Sequence, residues 1–269
     1  MPSLSNHQSR EFTKILLIGE AKSGKTGALA SLVTAGYKLR ILDYDNGLDI
    51  LSQAVRRTCP KLIDNVESRT LRDKWKMTQA GPIIDGTPTA FINGIKMLDD
   101  WKYIEGEHKI DLGVPSKWGP ECILVLDSLT FFSDAAFAYR EAMAPRSKSG
   151  GEYDRRAVYK DAQDAVENTL AMLTGRSFGS NVIVISHVDY QDNPDGTRKG
   201  YPVSVGKKLS PKVPAYFNNY FRFVIKGGKH KIESHSTAMF DLANARPFDM
   251  PKEFDLEDGL AKIFELLRK

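Results

Sequence analysis

The chain has 269 residues, 41% of them hydrophobic and 27% charged, a balance that excludes a wholly disordered chain and fits a globular one. No run approaches about 20 consecutive apolar residues, which excludes a membrane-spanning helix, and the N-terminal MPSLSNHQSREFTK lacks the apolar core of a secretory leader. Two cysteines, Cys59 and Cys122, are too few for a disulfide framework or a four-ligand zinc site and suit a reducing cytoplasm, and a net charge of only +4 does not by itself point to nucleic acid.

In chain order, residues 1–11 are polar and aperiodic and read as a flexible tail; residues 12–269 read as a single domain. KILLIG, Lys14 to Gly19, is an apolar run ending in glycine and predicts a buried parallel strand. Thr26 to Ala35 predicts a helix, Leu39 to Asp45 a second strand, and 48–57 a helix. Within 58–85, Leu62 to Leu71 holds a further short strand candidate. Apolar residues at helical spacing over 86–104 include Phe91, Ile95, Met97 and Leu98. Cys122 to Ser128 is the most hydrophobic strand candidate, 157–175 a long amphipathic helix, and Asn181 to His187 a fourth buried strand. Candidates at 219–226 and 229–236 flank Gly227-Gly228 and predict a hairpin. Four apolar runs alternating with helices predict an α/β fold with a mostly parallel sheet and a late antiparallel hairpin at one edge. Trp75, Trp101 and Trp118 are expected to be core residues.

Gly19-Glu20-Ala21-Lys22-Ser23-Gly24-Lys25-Thr26 matches G-x-x-x-x-G-K-[ST], between a predicted strand and a predicted helix. Glycines let backbone N–H groups turn inward around phosphate oxygens, and the helix N-terminus adds partial positive charge. Lys25 then reaches the β- and γ-phosphates of ATP, and the Thr26 hydroxyl ligates Mg²⁺. Asp127, at the tip of ILVLD, is placed to hold Mg²⁺ through water, with Ser128 free to hydrogen-bond locally. Hydrolysis also needs a group that positions water. Asp43 and Asp45 end the second strand, and strand alternation puts both on one face, so the spacing does not choose between them. His187 ends the fourth strand, where a polar residue would lie next to Asp127 and sense the γ-phosphate.

Two stretches are rich in Gly, Ser, Pro and charge. The first holds Arg146, Lys148, Arg155, Arg156 and Lys160 with Tyr153 and Tyr159; the second holds Arg198, Lys199, Lys207, Lys208 and Lys212 with Tyr190 and Tyr201. Basic side chains interleaved with aromatics suit a groove for single-stranded nucleic acid.

The order GEAKSGKT, ILDYDNGLD, ILVLDS, VIVISH resembles the RecA-like P-loop ATPase core. GKKLSPKVPAYFNNYFRFVIK is similar to phage ATPases of the AAA-like group that includes the Sak-type single-strand annealing recombinases. The resemblance covers roughly residues 12–236. It implies a RecA-like fold and an ATP hydrolase dependent on Mg²⁺ and stimulated by single-stranded DNA, acting in homologous recombination or single-strand annealing. It places the water-positioning role on Asp45, although the family acid is often Glu, and makes His187 the link between nucleotide state and a DNA-binding loop. The two basic stretches correspond to the family's central DNA-binding loops. Lys226, Lys229 and Lys231 become candidates for a cation that reaches the neighbouring subunit's γ-phosphate. A homo-oligomer, ring or filament, a single-strand-binding protein as a further partner, and a cytoplasmic location (the host's, for a phage-encoded chain) follow from the same resemblance. A helicase loader or packaging accessory that binds ATP in order to assemble on a protein is the competing expectation, and a small-molecule kinase a third.

Overall fold

The computed structural model describes residues 11–145, 154–192 and 195–269. Strand β1 (Lys14–Gly19) enters the phosphate loop, and α1 (Lys25–Ala28) and α2 (Ala30–Thr34) leave it as one helical run through Leu29. β2 (Lys38–Asp43), α3 (Asp49–Thr58) and β3 (Val66–Thr70) follow. Next come the hairpin β4 (Trp75–Thr78) and β5 (Gly81–Ile84), α4 (Ala90–Asp99), and the hairpin β6 (Trp101–Glu105) and β7 (His108–Gly113). β8 (Gly119–Asp127), α5 (Leu129–Met143), α6 (Arg155–Thr174) and β9 (Ser180–Ser186) complete the buried centre. The chain ends with the hairpin β10 (Val188–Asp192) and β11 (Arg198–Pro202), α7 (Gly206–Leu209), β12 (Asn219–Lys226), β13 (Lys229–Glu233), β14 (Glu253–Asp255) and α8 (Gly259–Arg268).

The main sheet has eight strands in the order β14-β13-β12-β1-β9-β8-β2-β3. From β12 to β3 every pairing is parallel; β13 and β14 add an antiparallel edge. Strand alternation divides the core in two. Leu16, Ile18, Leu42, Leu124, Leu126, Val182 and Val184 face one side, against α4, α5 and α6. Ile15, Leu17, Ile41, Ile123, Val125, Ile183 and Ile185 face the other, against α1, α2, α3 and α8. This is the α/β architecture expected from the apolar runs, including the late hairpin around Gly227-Gly228. Among the described residues no helix is long and apolar enough to cross a membrane.

The structure departs from expectation in the segment after β3. The helix predicted over 86–104 ends at Asp99, and Trp101–Glu105 turns back as a strand. The second strand stops at Asp43, two residues early, because Tyr44 and Asp45 donate backbone N–H groups to the Asp127 carbonyl, at 2.5 and 3.3 Å, and the chain then turns at Asn46 with φ 58°. Trp101 is fully buried and Trp118 packs against it at 5.5 Å, but Trp75 is 63% exposed on the two-stranded hairpin β4–β5.

Candidate functional site

The phosphate loop is shaped by sterics that only glycine satisfies. A Cβ on Gly19 would stand 2.7 Å from the Phe223 carbonyl, and Gly24 has φ 98°. The loop is braced from the sheet edge, where a ring nitrogen of His230 lies 3.0 Å from the Ser23 carbonyl and Leu256 packs at Gly24. Lys25 is buried, and its Nζ donates to the carbonyls of Gly19 at 2.8 Å and Glu20 at 2.9 Å. Burial lowers its pKa to about 8, against the opposing pull of Asp127, Asp45 and Glu20.

Asp127 ends β8 beside this loop, and its Oδ2 accepts the Thr26 hydroxyl at 2.8 Å. Its Oδ1 is buried without a hydrogen-bond partner among the described residues. Burial, with Asp45 nearby, raises the carboxyl to about 7. A buried carboxylate with one orphaned oxygen, paired through the other with a hydroxyl, fits Mg²⁺: Thr26 would ligate the ion and Asp127 would hold its water shell. Among the described residues no group of three or more His, Cys, Asp or Glu side chains could hold a metal alone. Bound there, Mg²⁺ would supply neutralisation of phosphate charge.

The two acids of LDYD separate by environment. Asp43 is absorbed by the turn, accepting the Asn46 N–H at 2.7 Å and the Thr70 hydroxyl at 3.1 Å. Asp45 lies nearer the loop. Its Oδ1 accepts the Ser128 hydroxyl at 2.6 Å, and its Oδ2 stands 3.4 Å from His187 Nε2. Burial alone would raise its pKa, but the hydrogen bonds from His187 and Ser128 and the charge of Lys25 outweigh burial and hold the carboxyl below its ordinary range. His187, expected beside Asp127, is thus paired with Asp45. Its ring also meets Phe131 edge-on at 6.1 Å.

The basic residues fall into three situations. Arg146 and Lys148 lie outside the described residues, as do residues 1–10. Arg155 and Arg156 are exposed in the first turn of α6, which Asp154 caps, and Lys207 and Lys208 are exposed on α7. The two helices meet where Gln163 donates to the Val205 carbonyl at 2.9 Å, about two turns from Arg156. Arg198 and Lys199 are engaged at home, with Asp192 at 3.9 Å and Asp241 at 2.5 Å. At the late hairpin, Lys226 pairs with Glu233 and Glu253 and Lys231 with Asp255; Lys229 is exposed and has no ion pair among the described residues.

Two contacts at this site escaped sequence reading. Tyr190, on β10, donates its hydroxyl to Glu20 of the phosphate loop at 2.7 Å. Arg72, just beyond β3, donates to the Tyr44 carbonyl at 2.9 Å and stacks over Phe131 at 5.2 Å. No short motif carries either; both depend on which strands become neighbours.

Among solved structures the chain is similar to the RadB recombinase, at 17% identity and TM-score 0.46, over 92% of this chain and 89% of that one. It is similar to an ATPase from the type III secretion system of pathogenic bacteria at 13% identity and TM-score 0.39, over 79% of this chain and 51% of that one. It is also similar to the ATP synthase subunit NeqB of Nanoarcheaum equitans at 12% identity and TM-score 0.38, over 94% and 54%. The chain spans about half the length of the last two. These similarities lend no residue role to it, and no curated protein matches its sequence. The family profile of the AAA domain matches residues 11–241. That match runs from the turn before β1 to the segment after β13, well over half of the sequence, and the chain therefore belongs to the AAA domain family, as a P-loop ATP hydrolase.

Proposed function

We propose that the chain is an Mg²⁺-dependent ATPase stimulated by single-stranded DNA, acting as a homo-oligomer in phage-type recombination or single-strand annealing. The observation that carries this reading is the Asp45–His187 pair. His187 directly follows β9, and the hairpin β10–β11, which leads on to Lys207 and Lys208 of α7, begins at the next residue. A group that faces the hydrolytic centre is therefore continuous with the segment offered to a strand. Tyr190 on Glu20 supports the same coupling from the other side of the loop.

In this reading Lys25 neutralises phosphate charge, Thr26 and Asp127 hold the metal, and Asp45 orients and deprotonates water. Arg155, Arg156, Lys207 and Lys208 neutralise the strand's phosphates, while Tyr190, Tyr159 and Tyr201 offer stacking surfaces worth about 1–3 kcal/mol per base. Affinity for an oligonucleotide should fall with salt at a log–log slope of about −0.7 per neutralised phosphate. Lys207→Ala with Lys208→Ala should flatten the slope by about 1.4 and leave DNA-independent hydrolysis intact. Fluorescence anisotropy with and without a non-hydrolysable ATP analogue reads this directly. An unchanged slope removes α7 from the DNA site. The home pairing of Arg198 and Lys199 favours a second reading, an ATP-dependent switch such as a helicase loader or packaging accessory. Absence of DNA binding in either nucleotide state selects it.

The late hairpin bears on assembly. With Lys226 and Lys231 held by their own subunit's acids, Lys229 is the cation left to reach a neighbour's γ-phosphate. Lys229→Ala and Lys25→Ala subunits, each inactive alone, should recover ATP turnover when mixed, because one supplies the loop and the other the reaching lysine. Purely additive residual activity would show that the site is complete within one subunit.

A further inference from the structure

From the geometry we infer that the groove between the end of β3, α4 and the hairpin β6–β7 is a separate binding surface for single-stranded nucleic acid. The groove has a volume of about 620 Å³, and its walls carry Arg69, Arg72, Lys74, Lys96 and Lys102 against two acids, Asp73 and Asp85. Both acids are already committed. Asp73 caps α4, accepting the N–H groups of Thr89 at 2.6 Å and Ala90 at 3.0 Å. Asp85 pairs with Lys76 at 2.9 Å, outside the groove wall. Of the cations, Lys102 is paired with Asp100 at 2.6 Å and Asp111 at 3.7 Å, and Arg69 with Glu105 at 3.8 Å. Lys74 and Lys96 are exposed and have no ion pair among the described residues. The groove therefore presents positive charge that the chain does not use, which is the requirement for a polyanion.

The same walls offer flat surfaces. The Arg69 guanidinium lies over the Tyr103 ring at 4.6 Å, and guanidinium planes and aromatic rings are surfaces on which unstacked bases lie. A second hollow of about 330 Å³ shares Leu71, Arg72, Asp73 and Ala90 with the groove and is lined by Trp75, Ile84 and Phe131. Trp75 is 63% exposed and Met77 beside it 79%, on a two-stranded hairpin that is marginal by itself. Unpaired cations next to an apolar, aromatic hollow suit a chain that alternates phosphates with bases. An acidic peptide would use the first and leave the second bare. Arg72 stands between the two hollows while holding the Tyr44 carbonyl, so a strand here borders the turn that carries Asp45. This surface goes beyond the proposed function: α7 and the β10–β11 hairpin are not part of it.

Lys74→Ala with Lys96→Ala tests it, since both side chains are exposed and neither touches the ATP site. In an anisotropy titration with a labelled oligothymidylate, the pair should flatten the salt slope by about 1.4, with unchanged melting temperature and unchanged ATP turnover without DNA. Oligothymidylate should also quench tryptophan emission in the parent, and Trp75→Phe should remove that response, because Trp101 is buried and Trp118 packs against it away from both hollows. Unchanged slope and unchanged quenching in these variants, with binding still lost on replacing Lys207 and Lys208, overturn the groove and leave the proposed function standing. Loss in the groove variants alone supports the groove and removes α7. Displacement of the Trp75 response by poly-glutamate as readily as by oligothymidylate overturns the inference and assigns the surface to an acidic protein. No binding by the parent overturns both.

Discussion

Replacement of Lys25 by alanine should abolish ATP turnover in a chain that remains folded. The ammonium is the buried cation of the loop, held close to Asp127 and Asp45. Removing one donor aimed at developing charge typically lowers kcat by about 10²–10³. Here the same group also neutralises bound triphosphate, and a hydrogen bond to a charged partner contributes about 1.5–3 kcal/mol, so affinity should fall by an order of magnitude or more. Lys25 Nζ serves the Gly19 and Glu20 carbonyls, and alanine leaves both without that donor. Glu20 is exposed, so water can replace the lysine there, and the melting temperature should drop by a few degrees rather than collapse. Coupled-assay turnover and a thermal melt on the same preparation decide the matter. Full activity in the folded variant would overturn the assignment of the phosphate loop.

Asp45→Asn should keep nucleotide affinity and slow hydrolysis by about 10²–10⁴-fold, the usual contribution of a positioned base. The amide is nearly isosteric and can still accept the Ser128 hydroxyl, but it cannot take a proton from water. Asp43→Asn should do the reverse. Asp43 is held by the Asn46 N–H and Thr70, so its loss loosens the turn and lowers stability while the chemical step persists. The pH profile separates the two as well. Asp45 is held below the ordinary carboxylate range, so it stays ionised as pH falls through that range, and its own acid limb lies below it. Asp43, raised by burial, would protonate earlier. Loss of turnover in Asp43→Asn with normal turnover in Asp45→Asn would exchange their roles.

The buried strands were legible because each is an unbroken apolar run, and the phosphate loop because its residue types answer to phosphate chemistry. What could not be read has physical reasons. The hairpins β4–β5 and β6–β7 expose both faces in part, so Trp75, Met77 and Ile104 break the alternation that marks a half-buried strand. Asp43 and Asp45 looked equivalent because strand periodicity was carried past the point where the Asp127 carbonyl captures the backbone and turns it. The partner of His187 was not legible either, since Asp45 and His187 are 142 residues apart and meet only through the strand order. Lys226, Lys229 and Lys231 are alike in sequence; only the placement of β14 and its acids beside β13 sets Lys229 apart.

The hydrogen bond from Tyr190 to Glu20 ties the middle of β10 to the first variable position of the phosphate loop. Under the proposed function such a tie obeys thermodynamic reciprocity: whatever factor loop occupancy imposes on strand affinity, the strand must return to nucleotide affinity unchanged. The two titrations, nucleotide against saturating oligonucleotide and oligonucleotide against saturating nucleotide, thus close a cycle with a single coupling constant. Tyr190→Phe keeps the ring on Phe240 and deletes only the hydroxyl, so it measures the share of that constant carried by that group.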